Sequence, residues 1–416
     1  MWLVFRATRA PSVMTAVSPS FGSFLYDQYD KAFGRPWPVI PSALAIAALS
    51  VFLFAFDRPW TASDGLRNWG DWLFQSLGFT IQADLLPPHL YSGSVLNLGL
   101  LAGGLATALV SREFAVRGAP FNEIFKGSFG GLLMGCGAML AFGCNIGGFF
   151  SALSALSASG AGMMIGLLIG AFIGARYLIR ENARLIEAGR LPFPTACEAA
   201  PRPAPAAAAF RLQPLAGAFV LAAFLGVGAL YHQLGHSRLA VFLYFGLAFG
   251  VIFQRSRFCL VHAFREPFMT GKSEHARAAA LALTLGMIGF AILKATDLKD
   301  SSEWVFPSFW LGAIFGGAAF GVGMVLVGGC GAGSIWRAGE GHVKLWAALV
   351  FFATGASMTR QLLVRTDLIR RLGDAIFLPN VFGWSGAVCA VAALMIIWYL
   401  LSGWNEQKKH AGVLQF

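Results

Sequence analysis

Residues 131–147 read GLLMGCGAMLAFGCNIG, and residues 317–333 read GAAFGVGMVLVGGCGAG. At a constant offset of 186, Gly131, Gly135, Gly137, Leu140, Gly143, Cys144 and Gly147 fall on Gly317, Gly321, Gly323, Leu326, Gly329, Cys330 and Gly333. The chain holds 50 glycines, so some coincidences are expected. Seven at one offset, one of them a cysteine, mark an internal repeat. Each copy runs apolar up to its cysteine and then breaks. Residues 146–156 (IGGFFSALSAL) are apolar but too short to span a bilayer, and 333–341 are shorter still and carry Arg337 and Glu340. Both read as re-entrant segments. Irregular backbone at membrane depth survives only where protein or water satisfies it, so such segments tend to line a pathway.

Outward from the repeat, the composition is that of a membrane protein. Of 416 residues, 57% are hydrophobic and 12% charged, against roughly 25% charged in soluble domains. Mean hydropathy is +0.65. One soluble core cannot hide that much apolar surface. Ten apolar stretches approach the length needed for about 30 Å of hydrocarbon, near 39–56, 94–110, 127–143, 161–179, 214–231, 238–253, 278–295, 308–329, 344–358 and 381–402. The expectation is an all-α polytopic membrane protein of about ten transmembrane helices. A first half (1–180) and a second half (214–416) flank a cytoplasmic linker (181–213) containing Pro201-Arg202-Pro203-Ala204-Pro205. Residues 57–93 read as a long outer loop whose Trp69, Trp72 and Phe74 suit an interfacial belt.

With ten spans, one side of the membrane receives 22 of the 31 Lys and Arg residues and the other 9. The positive-inside rule makes the richer side, with both termini, cytoplasmic. The net charge of +11 is absorbed by that bias, and nucleic acid is not expected as a partner. The N-terminus lacks the shape of a signal peptide. The first repeat copy follows the third span and the second follows the eighth. Those spans run oppositely, so Cys144 enters from outside and Cys330 from inside, the inverted arrangement of many transporters. One irregularity remains, because the second and sixth spans look alike yet run the same way, which leaves 278–295 without a first-half counterpart.

The six cysteines form no C-x-x-C and no zinc spacing, so neither a disulfide framework nor a metal site is expected. Cys389 and Cys136 lie in apolar spans and read as small packing residues, and Cys197 lies in the linker. Gly166, Gly170 and Gly174 read as a helix-packing face. A third cysteine-bearing stretch, QRSRFCLVHAFREPFMTG at 254–271, sets Arg255, Arg257, His262, Arg265 and Glu266 among apolar residues and ends near Pro267. It reads as another half-helix, with 111–126 as its expected first-half counterpart. His262 reads equally as a satisfied core histidine, Arg257 and Arg265 as positive-inside anchors, and Arg337 with Glu340 as a structural ion pair.

AFGCNIGGFF at 141–150, SRFCLVHAFRE at 256–266, Met-Thr-Gly at 269–271 and VGGCGAGSIWRAGEG at 327–341 resemble the YeeE/YedE family of sulfur-transport membrane proteins over nearly the whole chain. With GCNIG in the first half, the order is similar to the longer YedE branch. The resemblance implies an hourglass of helices with loops dipping from both faces. It also implies pathway cysteines at Cys144, Cys259 and Cys330, a thiosulfate-like substrate, and a small cytoplasmic TusA-like sulfur carrier as a partner. A selenium species is the alternative cargo that the YedE branch suggests.

The residue types fit a small dianion with a soft terminal sulfur. Glycine turns at Gly143, Gly147, Gly329 and Gly331, together with Asn145, place backbone N–H groups at helix N-termini, which favour anions. A neutral thiol is a weak, polarizable donor that binds without trapping, whereas a thiolate would repel the dianion. Arg257, His262, Arg265 and Arg337 form the expected binding groups at the cytoplasmic mouth. A membrane thiol oxidoreductase and a soft-metal transporter are the rival readings. The missing C-x-x-C counts against the first, and the absence of M-x-x-M clusters against the second. No nucleotide motif or cofactor signature is present, and no enzymatic activity is expected.

Overall fold

The computed structural model describes residues 21–79, 85–189 and 207–408. Cys197 and the proline-rich run lie outside the described residues. A first unit, up to Arg35, holds α1 (Phe21–Tyr29) and a π-helical turn (Asp30–Gly34). The second holds α2 (Val39–Phe56), α3 (Ala62–Ser76), α4 (Ser92–Val110), α5 (Phe121–Leu140), a π-helical turn (Asn145–Ser151), α6 (Ala152–Ser154) and α7 (Ala158–Glu187). It continues with α8 (Ala207–Gln233), α9 (Ser237–Ser256), α10 (Leu260–Met269), α11 (Glu274–Ala295), α12 (Leu311–Val327), α13 (Gly331–Gly339), α14 (Val343–Arg365) and α15 (Leu378–Gln407). The strands among the described residues are a short antiparallel pair, Pro307–Phe309 with Asp374–Ala375.

Among the described residues nine helical stretches are long and apolar enough to cross a membrane. They become ten if Phe121–Leu140 and Asn145–Ser154, bent by 41°, count as one span. The chain is therefore an all-α polytopic membrane protein. Ion pairs among the described residues of the second unit join groups that the charge count puts on one side. Arg238 meets Asp57 on the poorer side, while Arg257 meets Glu113 and Glu340, and Lys126 meets Glu181, on the richer one.

The helix pairings are reciprocal. α5 packs on α14 and α12 on α7, α4 on α9 and α11 on α2, and α5 and α12 pack on each other. Exchanging α2, α4, α5 and α7 for α9, α11, α12 and α14 leaves that set unchanged. This resolves the apparent irregularity in the repeat: α11 is the counterpart of α4, at the same offset of 186, and α8 and α15 stand outside the repeat. Glycine makes the close pairs possible, since lipid offers no hydrophobic drive and contact must come from backbone approach. A Cβ on Gly131 would strike the carbonyl of Ala348 in α14, and one on Gly170 the carbonyl of Ala318 in α12.

Residues 57–93 do not form an outer loop. From Ala62 they fold inward as α3, in which Leu66, Asn68, Gly70 and Asp71 are buried. Its polar groups are satisfied internally: Arg67 and Ser357 hold Asp71, Arg58 holds Asp64, and Ser94 donates to Asn68. Trp60 is 2% exposed and stacks on Phe249, and Trp69 packs against the core. α3 touches α4 and α14 as α10 touches α11 and α7. Hence α3, rather than 111–126, is the counterpart of α10.

Candidate functional site

Three helix breaks share one construction. Two residues before each cysteine the backbone turns left-handed, at Phe142 (φ 60°), Arg257 (φ 56°) and Gly328 (φ 79°). Each cysteine then caps a half-helix: Cys144 the Asn145–Ser151 turn, Cys259 α10 and Cys330 α13. Cys144 (φ −71°, ψ −179°) and Cys330 (φ −79°, ψ −179°) have nearly the same backbone, as their places in the repeat demand. The counterpart of Cys259 (φ −149°, ψ 132°) is Thr61 (φ −146°, ψ 136°), which caps α3.

The side chains repeat the relation. Cys259 Sγ lies 3.3 Å from Cys330 Sγ, and Thr61 Oγ1 lies 3.7 Å from Cys144 Sγ. Only glycine fits beside either pair. A Cβ on Gly333 would sit 2.5 Å from Cys259 Sγ and 3.1 Å from Cys330 Sγ, and one on Gly147 would collide with Thr61 Oγ1. The two pairs adjoin each other, because a Cβ on Gly331 would lie 3.6 Å from Cys144 Sγ. The three sequence-selected cysteines are thus brought together. They are 0%, 0% and 2% exposed, so this conformation is closed at the thiols.

The polar groups around them are incompletely paired. Both amide atoms of buried Asn145 and the Oγ of Ser334 have no hydrogen-bond partner among the described residues. A buried unsatisfied group costs about 1–3 kcal/mol. Such groups are ready to meet a guest. Cys144 N is held by Ser63 Oγ, and Gly333 N donates to Cys330 Sγ. Gly143 and Gly329 permit tight turns, since a Cβ would strike Gly148 N at the first and lie 2.9 Å from Ser334 Oγ at the second.

Beyond Cys330, on the arginine-rich side, Arg257, Arg337, His342 and Lys344 line a cavity of about 220 Å³ with Val327, Gly328, Glu340 and Leu345. Arg337 and Glu340 do not pair with each other. Arg337 donates to Gly328 O at 2.8 Å and meets His262 Nε2 at 3.0 Å, with its guanidinium over Trp336. Glu340 is bound by Arg257 and Gln254 and approached by His342. Burial pushes the Glu340 carboxyl up, but His342, Arg257 and Gln254 outweigh burial and hold it below the usual carboxylate range. Arg257 also bonds Glu113, so its charge is spent within the network. Arg265 lies on α10 in the turn after His262, with its Nε buried and unpartnered.

Cys136 lies near Gly355 O, away from the thiol row, and Cys389 is exposed on α15. Sequence reasoning missed Thr61, Ser63 and His275. The signal for Thr61 was its place just before α3, opposite the cap of α10, but a threonine between tryptophan and alanine carries no pattern of its own.

Comparison with known proteins agrees with this architecture. The profile of a family described as Sulphur transport matches residues 1–173 and 255–414, passing over the linker, α8 and most of α9. "Probable transporter YedE" of Escherichia coli (strain K12) is 29% identical over 324 residues, 74% of this chain and 77% of the relative. Its Salmonella typhimurium namesake is 26% identical over 389 residues, 89% of this chain and 93% of the relative. "Thiosulfate transporter TsuA" of Escherichia coli (strain K12) is 35% identical over 115 residues, 28% of this chain and 32% of the relative. No solved structure matches. With the profile matching both halves of the repeat and the YedE transporters aligning over most of the chain, the protein belongs to the Sulphur transport family, in its longer YedE branch.

Proposed function

We propose that this sulfur transporter carries thiosulfate across the cytoplasmic membrane along Thr61, Cys144, Cys330 and Cys259, with both termini in the cytoplasm. The observation that carries the reading is the convergence of three buried thiols and one hydroxyl, each capping a half-helix, from both halves of an inverted repeat. Half-helix N-termini favour the anion's charge. Neutral S–H groups donate weakly to its terminal sulfur, and successive weak sites pass it onward. Asn145 supplies an amide free for an oxygen of the anion. The cavity bounded by Arg337, His342 and Lys344 receives the ion after Cys330, where a TusA-like carrier collects it. The printed name of the TsuA relatives supports thiosulfate as cargo. Thiols do not by themselves distinguish thiosulfate from a selenium analogue.

The test is growth of a thiosulfate-requiring strain that lacks its own uptake system. Wild type is expected to restore growth on thiosulfate, and Cys144→Ala, Cys259→Ala and Cys330→Ala to fail at equal membrane abundance. Full growth by all three variants overturns the thiol pathway. Rescue by selenite but not thiosulfate transfers the assignment to selenium.

A second reading, thiol–disulfide exchange, draws support from the 3.3 Å between Cys259 and Cys330. A bond requires closure to about 2.05 Å and transfer of two electrons, with release of both thiol protons, to an oxidising partner such as a disulfide, which is itself reduced to two thiols. Alkylation of the protein in intact cells, followed by mass measurement, decides it. Two free thiols in growing, transporting cells reject that reading.

A further inference from the structure

We infer that the cluster of His262, Glu266 and His275, one turn beyond Cys259, is a proton-binding site that couples proton entry to anion movement. The inference rests on the transport reading above and adds its driving ion.

The geometry fixes the resting state of the cluster. A guanidinium only donates, so the Arg337 contact makes His262 Nε2 an acceptor. The ring proton therefore sits on Nδ1, which donates to Glu266 Oε1 at 2.5 Å. His275, the second residue of α11, stacks on His262 with ring centroids 5.0 Å apart, and its Nδ1 is buried with no partner. The ligand-type atoms of the three residues lie within 4.8 Å of one another. One imidazole is thus committed at both nitrogens, and the other keeps a buried ring nitrogen unpaired among the described residues, near a carboxylate. The side chains of His262 and Glu266 are 17% and 18% exposed, which gives the group access to protons from one face.

The surrounding charges decide when that nitrogen takes a proton. α10 contributes Arg265 as well as Glu266, and α13 contributes Arg337. α11 contributes Glu274 and Arg277, and Arg277 is paired with Glu406 of α15. α7, which packs on α10, carries Arg176 beside Phe172. α12 has no titratable side chain, and the thiols of Cys259 and Cys330 complete the set. Partial burial beside the His262 ring disfavours an added charge on His275 at rest. A dianion arriving at Cys330 and Cys259 reverses that balance, because an opposite charge stabilises the protonated imidazole. Linkage is reciprocal, so a proton on His275 tightens anion binding by the same factor. In the tautomer protonated at Nε2, the added proton takes the His275 Nδ1 lone pair and leaves from the same atom, with no redox change. A further proton on His262 Nε2 would break its bond with Arg337. That guanidinium also holds Gly328 O, at the turn before Cys330, so its release loosens the inner end of the thiol row.

Coupling meets a physical need. An inside-negative potential of 100 mV opposes each negative charge about 50-fold, and hence a dianion about 2,000-fold. Passive passage could not raise the internal thiosulfate concentration above about one two-thousandth of the external one.

The experiment uses the full chain in liposomes with radiolabelled thiosulfate, a potassium–valinomycin clamp at zero potential and a pH dye in the lumen. An acid exterior should raise accumulation about tenfold per pH unit for each proton carried. A protonophore should abolish the rise, and thiosulfate entry should acidify the lumen. In His275→Gln the proton-to-anion ratio should fall by one, whatever rate remains. Wild-type uptake that ignores the pH gradient overturns the inference while leaving thiosulfate transport intact. An unchanged ratio in His275→Gln overturns it too, as does stimulation by added zinc that replaces the pH dependence. Absence of thiosulfate exchange by wild type removes the transport reading itself, and the inference with it.

Discussion

The first and second halves of the repeat build the same device from different atoms. In the second half, Cys259 faces Cys330 across 3.3 Å, with Gly333 leaving room beside them. In the first, Thr61 faces Cys144 across 3.7 Å, with Gly147 in the equivalent place. Backbone angles at the four caps agree within ten degrees pair by pair. Conserving the geometry while exchanging sulfur for oxygen separates two requirements. A small hydroxyl or thiol caps the half-helix in both halves, and a second sulfur is present in only one. The hydroxyl is the stronger donor and the thiol the softer partner, so on the proposed route the two pairs would be graded in what they hold.

Four experiments test this equivalence, from the largest expected effect to the smallest. Gly333→Ala and Gly147→Ala each push a methyl group into a cap pair, and each should reduce thiosulfate uptake at least 100-fold. The accompanying overpacking should cost about 1–3 kcal/mol, read by detergent-solubilised melting. Normal uptake in one but not the other would show that only one half carries the ion. Next, Thr61→Val keeps the shape and removes the hydroxyl's contacts with Ser63 Oγ and Cys144 Sγ, each worth about 1 kcal/mol. It should lower uptake roughly five- to tenfold, less than the loss from Cys259→Ala. Third, Thr61→Cys should retain uptake within about twofold and create a second close thiol pair. Mild oxidation should then cross-link Cys144 to the new thiol, detected as a mass loss of two hydrogens on non-reducing analysis.

The smallest effect concerns the inner network. The folded Glu340 carboxyl titrates below its unfolded counterpart, near 4.3. Its contribution to stability is therefore complete above about pH 4.3 and disappears as pH falls through the lower, folded value. Melting curves of wild type and Glu340→Gln should differ by about 1–3 kcal/mol at pH 7 and converge as pH falls through the folded carboxyl's lowered value. No comparable acid sensitivity should follow from changes at Thr61, which has no charge to lose.

Much of this was legible in the sequence. The ten apolar stretches anticipate the spanning helices, and α2 falls on 39–56 as expected. The three cysteines were selected because each interrupts a helix, and they meet. α3 was not legible. A half-helix bearing Ser63, Asp64, Arg67, Asn68 and Asp71 scores as an outer loop. Its polar side chains are paid for by partners far along the chain, such as Ser357, which no local pattern reveals. The match of α4 to α11 was hidden for a related reason: helix packing preserves glycine spacing loosely, while two extra helices shift the count of spans. His275 was passed over because its ring matters through stacking on His262, a relation set by the turn between α10 and α11.

The closure at the cysteines has a consequence for energy conservation. A protein that lives in an energised membrane must admit its cargo without short-circuiting the ion gradients around it. Three buried sulfur atoms packed against glycine leave little room for a continuous file of water along which protons could hop. On the proposed thiol route the barrier could stay this thin, since sulfhydryl groups suit a sulfur-tipped ion and give hydrated protons almost nothing to hold.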